Sequence, residues 1–123
     1  LHIEDGKVHT RTSAACIGQG LSTVMTQMIC ETTNLSPTLI IHDPPDTLRT
    51  PDSGNTTASR QTLFTGEAVH QAARALANDL KRHTLSMLEG KVYYGEYIGL
   101  TDSLGSDKKN PVSHIAYGYA THL

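Results

Sequence analysis

The sequence predicts an α+β fold, one mixed β-sheet with two main amphipathic helices packed on it, and three patterns predict it. Leu21, Val24, Met25, Met28 and Ile29 occupy the i, i+3, i+4, i+7, i+8 positions of one helical face. Phe64, Ala68, Ala72, Leu76 and Leu80 recur every fourth residue in a second, longer segment, with Val69 and Ala73 alongside. Around them lie short runs with strand alternation or β-branched character. The 123 residues, 37% hydrophobic, fit one ordinary domain. With no Trp, 1 Phe and 5 Tyr, aliphatic and small residues must do most of the core packing.

Taken in order, Val8, Thr10, Thr12 and Ala14 share one parity, which predicts a half-exposed strand over 7–17. Gly18-Gln19-Gly20 breaks it, and the first amphipathic series predicts a helix over 21–31. Asn34 and Ser36-Pro37 end that helix, and the apolar, β-branched run after them predicts a buried strand over 38–42. Pro44, Pro45, Pro51 and Gly54 make 43–57 an irregular, ordered loop. The four-residue repeat predicts a helix over 58–83, with Lys81, Arg82 and His83 at its negative pole. Strands are expected over 91–97 and 113–123, the last with a small-residue face of Ala116, Gly118 and Ala120.

Composition excludes several classes. Ten Lys plus Arg against 12 Asp plus Glu leave no basic footprint for nucleic acid. No run approaches the roughly 18 apolar residues of a membrane span, so no membrane partner is expected and the chain reads as soluble and cytoplasmic. Cys16 and Cys30 lack a metal-binding spacing and read as buried free thiols, with a disulfide between them as the alternative. His9, His42, His70, His83 and His114 show no metal-ligand spacing either, so no metal ligand is assigned. Cys16 beside the Gly turn reads as a packed thiol, with a nucleophile activated by the helix end as the alternative; no Ser/His/Asp order or carboxylate pair emerges, and no catalytic residue is assigned. The opening Leu1-His2-Ile3, without an initiator Met, suggests a piece of a longer protein.

Two loops carry the chemistry. Gly18, Gln19 and Gly20 follow a strand and open a helix, where free N–H groups and the positive pole attract anions. Asp43 lies where the ribose-binding acid of a dinucleotide fingerprint would stand, yet Thr23 replaces the third Gly and the preceding strand is polar. A tight turn using Gly for positive φ explains the same residues. The second loop runs through Asp52-Ser53-Gly54-Asn55-Thr56 into Thr57, Ala58, Ser59 and Arg60. Its hydroxyls, first-turn N–H groups and Arg suit a phosphate or other polyoxygen ligand, or simply cap a helix.

Together and in this order, Ile17-Gly18-Gln19-Gly20-Leu21-Ser22-Thr23 with Gln27, then Asp46-Thr47, Pro51-Asp52-Ser53-Gly54 and Ala58-Ser59-Arg60-Gln61-Thr62 with Gly66 and Ala68-Val69, resemble the molybdopterin-binding region of the xanthine dehydrogenase and aldehyde oxidoreductase family. The run from Asn110 to Ala120 resembles the strand that returns to the sheet in that family. The resemblance implies an excised fragment of a larger molybdenum-binding domain in a molybdenum hydroxylase, with purine or aldehyde as substrate and water as the oxygen source. Gly18, Gln19, Gly20, Thr57, Ala58, Ser59 and Arg60 would be cofactor-binding. Its partners would be the remainder of the molybdenum subunit and the domains or subunits carrying iron–sulfur clusters and FAD. Cys16 stands where many members have Glu, a feature similar to the selenium-dependent purine hydroxylases. The family's catalytic Glu lies in a Gly-Glu motif near the end of the full chain, a context that Gly66-Glu67 and Gly95-Glu96 do not share, so the fragment alone should be inactive. The alternative is a non-catalytic phosphate- or nucleotide-binding module using the same two helix starts.

Overall fold

The computed structural model describes residues 1–103 and 105–112. The fold is α+β. Strand β1 (His2–Glu4) pairs antiparallel with β2 (Lys7–Thr10), and β2 pairs parallel with β3 (Ile40–His42), giving a mixed sheet in the order β1-β2-β3. Asp5 and Gly6, at φ 52° and 67°, make the two-residue turn between β1 and β2, whose twist matches that of the strands. The Glu89 carboxylate accepts both turn N–H groups, at 2.8 and 3.1 Å.

Helix α1 (Leu21–Thr33) is the crossover between the parallel strands, and α2 (Arg60–Leu80) packs beside it. Leu21, Met25 and Ile29 are the buried face of α1. They join Ile3, Val8, Ile40, Val69, Ala73 and Leu76 in one core. Small residues let the helices approach: a Cβ at Gly66 would fall 2.8 Å from the end of Met28.

Several elements differ from the sequence expectation. The ladder of the strand expected over 7–17 stops at Thr10, because β3 runs directly into Pro44-Pro45, which have no N–H to donate. The last bond of that edge is Asp43 N–H to Thr10 O, 3.0 Å. The helix expected from residue 58 begins at Arg60, since Ala58 takes φ 43°, outside the helical region, and ends at Leu80. Its buried stripe is Gln61, Thr65, Gly66, Val69, Ala72, Ala73 and Leu76, while Phe64, Ala68 and Leu80 are half-buried.

In place of the strand expected over 91–97 there is a single bridge, Val92 opposite His2. Its flanking bonds join Tyr93 N–H to Leu1 O and Ile3 N–H to Lys91 O. The segment then leaves the sheet to lie on α2, held by Tyr93 Oη and Lys91 Nζ on the Asp79 carboxylate. The strand expected over 113–123 lies outside the described residues.

Candidate functional site

Parallel strands β2 and β3 end side by side, and a loop leaves the carboxyl end of each. Loop 11–20 opens α1 and loop 43–59 opens α2. In open sheets this is the position at which ligands bind. Ser13 Oγ lies 3.0 Å from Ser53 Oγ and accepts the Ser53 N–H at 2.8 Å. The Ala15 carbonyl accepts from Gln19 Nε2 at 3.3 Å and from Thr56 Oγ1 at 3.1 Å. One carbonyl oxygen therefore joins the two loops.

The first loop is wound tightly. Gly18 and Gly20 take φ 103° and 74°, conformations that strain any L residue. Gly20 is the N-cap of α1 and has no side chain to cap it. Gln19 closes on its own loop, its Oε1 accepting the Ile17 N–H at 2.6 Å. Cys16, expected to be buried, is exposed on this turn, and its thiol is held below the ordinary value by backbone N–H groups of the turn, Gly18 and Leu21 foremost. The backbone of this turn thus favours a negative atom beside it.

In the second loop, the Thr57 carbonyl accepts the Arg60 N–H at 3.0 Å, and Ser59, the N-cap of α2, makes no side-chain capping bond. Arg60 turns inward: its Nη1 donates to the carbonyls of Ser53 and Asn55, at 2.6 and 3.1 Å, and its guanidinium lies over the Phe64 ring. Gln61, 2% exposed, donates to Asn55 O and accepts from Thr65 Oγ1. Thr57, Ala58 and Ser59 are exposed at the surface.

His42 bridges the floor of the site, with Nδ1 2.7 Å from Thr10 Oγ1 and Nε2 2.8 Å from Thr26 Oγ1. Burial lowers its pKa, so the neutral ring donates through one nitrogen and accepts through the other. A cleft of about 70 Å³ lies here, lined by Thr10, Thr12, Cys16, Ser22, His42 and Asp43 among others. A larger groove of about 480 Å³ runs past Met28, Glu31, Gly66 and Tyr97, away from all seven residues expected to bind cofactor. Sequence reasoning assigned no site role to Ser13, to His42 or to Gln61, the last named only within a longer motif. For His42 and Ser13 the one signal is polarity inside otherwise apolar or strand-forming runs.

Among the described residues, no helix is long and apolar enough to cross a membrane. The molybdopterin cofactor-binding domain family matches residues 1–117. The gamma subunit of a 6-hydroxypseudooxynicotine dehydrogenase complex from Paenarthrobacter nicotinovorans is 33% identical over 84 residues, covering 68% of this chain and 11% of that protein. The chain thus spans about a ninth of the length of that relative. No solved structure matches. With two helix-opening loops joined at the carboxyl ends of adjacent parallel strands, and with the family matching nearly the whole sequence, the chain belongs to the molybdopterin cofactor-binding domain family.

Proposed function

We propose that the chain forms part of the molybdopterin-binding wall of a larger molybdenum hydroxylase of the xanthine dehydrogenase and aldehyde oxidase type. The observation that carries this reading is the Ala15 carbonyl, which holds the glycine turn and the hydroxyl-rich loop against each other. The donor set fits a pterin bearing oxygen-rich groups: backbone N–H groups of Gly18, Gly20, Leu21 and Ser22 on one side, Thr57, Ala58 and Ser59 at the start of α2 on the other. When bound, the cofactor supplies the redox chemistry, a hydroxylation with oxygen from water, and the protein supplies binding and orientation.

In this reading Gly18 and Gly20 let the backbone approach the cofactor, Gln19 braces the turn, and Arg60 organises the second loop through Ser53 and Asn55. The substrate is a purine or aldehyde, with 6-hydroxypseudooxynicotine as the further candidate from the relative's name. The remaining walls, the catalytic base, the iron–sulfur clusters and FAD belong to the rest of the subunit or to partner subunits in the cytoplasm. The chain alone is inactive.

The test is Thr56→Val and Gln19→Ala, made in the parent enzyme and read as molybdenum and pterin content per polypeptide. Both should fall severalfold while the polypeptide stays soluble. Full cofactor content in both variants would refute the assignment. Calorimetric binding of ATP, NAD or phosphate by the purified chain would instead favour the phosphate- or nucleotide-binding module.

A further inference from the structure

His2, His9 and Asp43 form the one group among the described residues whose three metal-ligating side chains offer atoms all within 4.8 Å of one another. We propose that they are a binding site for one borderline divalent transition-metal ion of the zinc class, and that the Arg11 guanidinium fills this site when no metal is bound. The strand register builds it. His2 and His9 are directly opposed across the β1–β2 ladder, which puts their rings on one face with centroids 4.9 Å apart. Thr10 pairs with His42 across β2–β3, so the next residue, Asp43, arrives beside them, its Oδ1 2.8 Å from His9 Nδ1.

Arg11 lies along the gap. Its Nε donates to Asp43 Oδ2 at 2.8 Å and its Nη2 approaches His2 Nε2 at 2.9 Å, so one edge of the guanidinium addresses lone pairs that a metal ion would take. The arrangement leaves His2 unsatisfied. Glu4 Oε2, at 2.8 Å, requires Nε2 to donate, while Arg11 requires the same nitrogen to accept. His2 Nδ1 is buried without a partner, and the residue is 8% exposed. A metal ion on Nε2 ends the conflict at that nitrogen by taking the lone pair and releasing Arg11, while the proton stays on the unpartnered Nδ1. Two carboxylates, Glu4 and Asp43, face the single guanidinium, so the surroundings favour added positive charge. The Arg11 side chain is 35% exposed and can move into water. Two imidazoles and a carboxylate suit Zn²⁺, Co²⁺ or Ni²⁺ rather than Ca²⁺ or Mg²⁺, which take oxygen ligands.

The experiment is a titration of the purified protein with Co²⁺, followed by its visible d–d absorption and by displacement with Zn²⁺. One equivalent should bind saturably. His9→Gln and Asp43→Asn should each weaken binding tenfold or more, and Arg11→Met should tighten it at least tenfold. Circular dichroism reports whether each variant is folded, and His9→Gln, which keeps a polar group of similar reach, covers the case in which Asp43→Asn unfolds. Absence of saturable binding, binding that survives His9→Gln, or an affinity unmoved by Arg11→Met would each overturn the proposal.

Discussion

Gly95 is the most exacting position in the packing of segment 91–98 on α2. A Cβ placed there would lie 1.8 Å from the Ala68 carbonyl oxygen and 2.9 Å from both the Ala68 carbonyl carbon and the Ala72 nitrogen. These atoms are helix backbone and cannot turn aside. Restoring an ordinary C···O separation of about 3.3 Å requires a displacement of roughly 1.5 Å, either of α2 or of the segment pinned to it through Tyr93 and Asp79. Gly95→Ala should therefore exceed the usual overpacking range and cost about 3 kcal/mol or more. Gly90→Ala is the control. Its φ of 76° strains Ala, but nothing lies within 4 Å of the new Cβ, so about 1–2 kcal/mol is expected. In urea, with a slope of about 2 kcal/mol/M, the first variant should lower the midpoint by about 1.5 M and the second by less than about 1 M. Equal midpoints would show that the close approach carries no energy and that segment 91–98 is not seated on α2 as described.

Three further outcomes follow from other sites. Ala58, at φ 43°, carries left-handed strain, so Ala58→Gly should stabilise the protein by about 1 kcal/mol, read as a raised denaturation midpoint; a lowered one would contradict the strain. Donated backbone N–H groups lower the Cys16 thiol while burial raises that of Cys30, so iodoacetamide at neutral pH should alkylate Cys16 first, as peptide mapping would show. Bonds from Lys91 and Tyr93 hold the Asp79 carboxyl below its ordinary value of 3.8. Its contribution to stability is present above that unfolded value and is lost as the pH falls through the lower folded one. Asp79→Asn should flatten the acid limb of the stability profile, and an unchanged limb would remove Asp79 from the account.

The helices were the most legible part of the sequence, because periodicity reports a buried face directly. On α2 the expected Ala72, Leu76, Val69 and Ala73 are buried, while Phe64, Ala68 and Leu80 lie at the margin of the stripe. Two neighbours compete for the helix: α1 takes the Gly66 side, and segment 91–98 covers Ala68 and Ala72. Asp5-Gly6 between Ile3 and Val8 is a readable hairpin signal, and a strand expectation that begins at residue 7 omits its first half. The early end of β2 was less accessible. Thr12 and Ala14 keep the alternation, and what stops the ladder is a proline pair more than thirty residues away, on the partner strand. His2, His9 and Asp43 carry no spacing signal, since only the antiparallel and parallel registers acting together make them neighbours.

The same two prolines account for the form of the candidate site. Had the β2–β3 ladder continued, residues 11–17 would have been committed to the sheet and the two loops could not have turned toward each other. Because Pro44 and Pro45 cannot extend the pairing, both chains leave the sheet at the same level, at Thr10 and Asp43. Their backbone groups must then find partners elsewhere. Ser13 takes the Ser53 N–H, and the Ala15 carbonyl takes Thr56 and Gln19. These are the contacts that set the two helix-opening loops together. The site thus depends on where a strand stops as much as on the glycines and hydroxyls of its own motifs. Loss of the Ser13 and Thr56 hydroxyls should separate the loops without disturbing the β2–β3 ladder. Amide exchange would show this directly in Ser13→Ala/Thr56→Val, with the Ser53 N–H losing protection while the Asp43 N–H, bonded to Thr10, keeps it. Parallel loss at both amides would mean that the loops and the ladder open as one unit, and that the proline break does not make them independent.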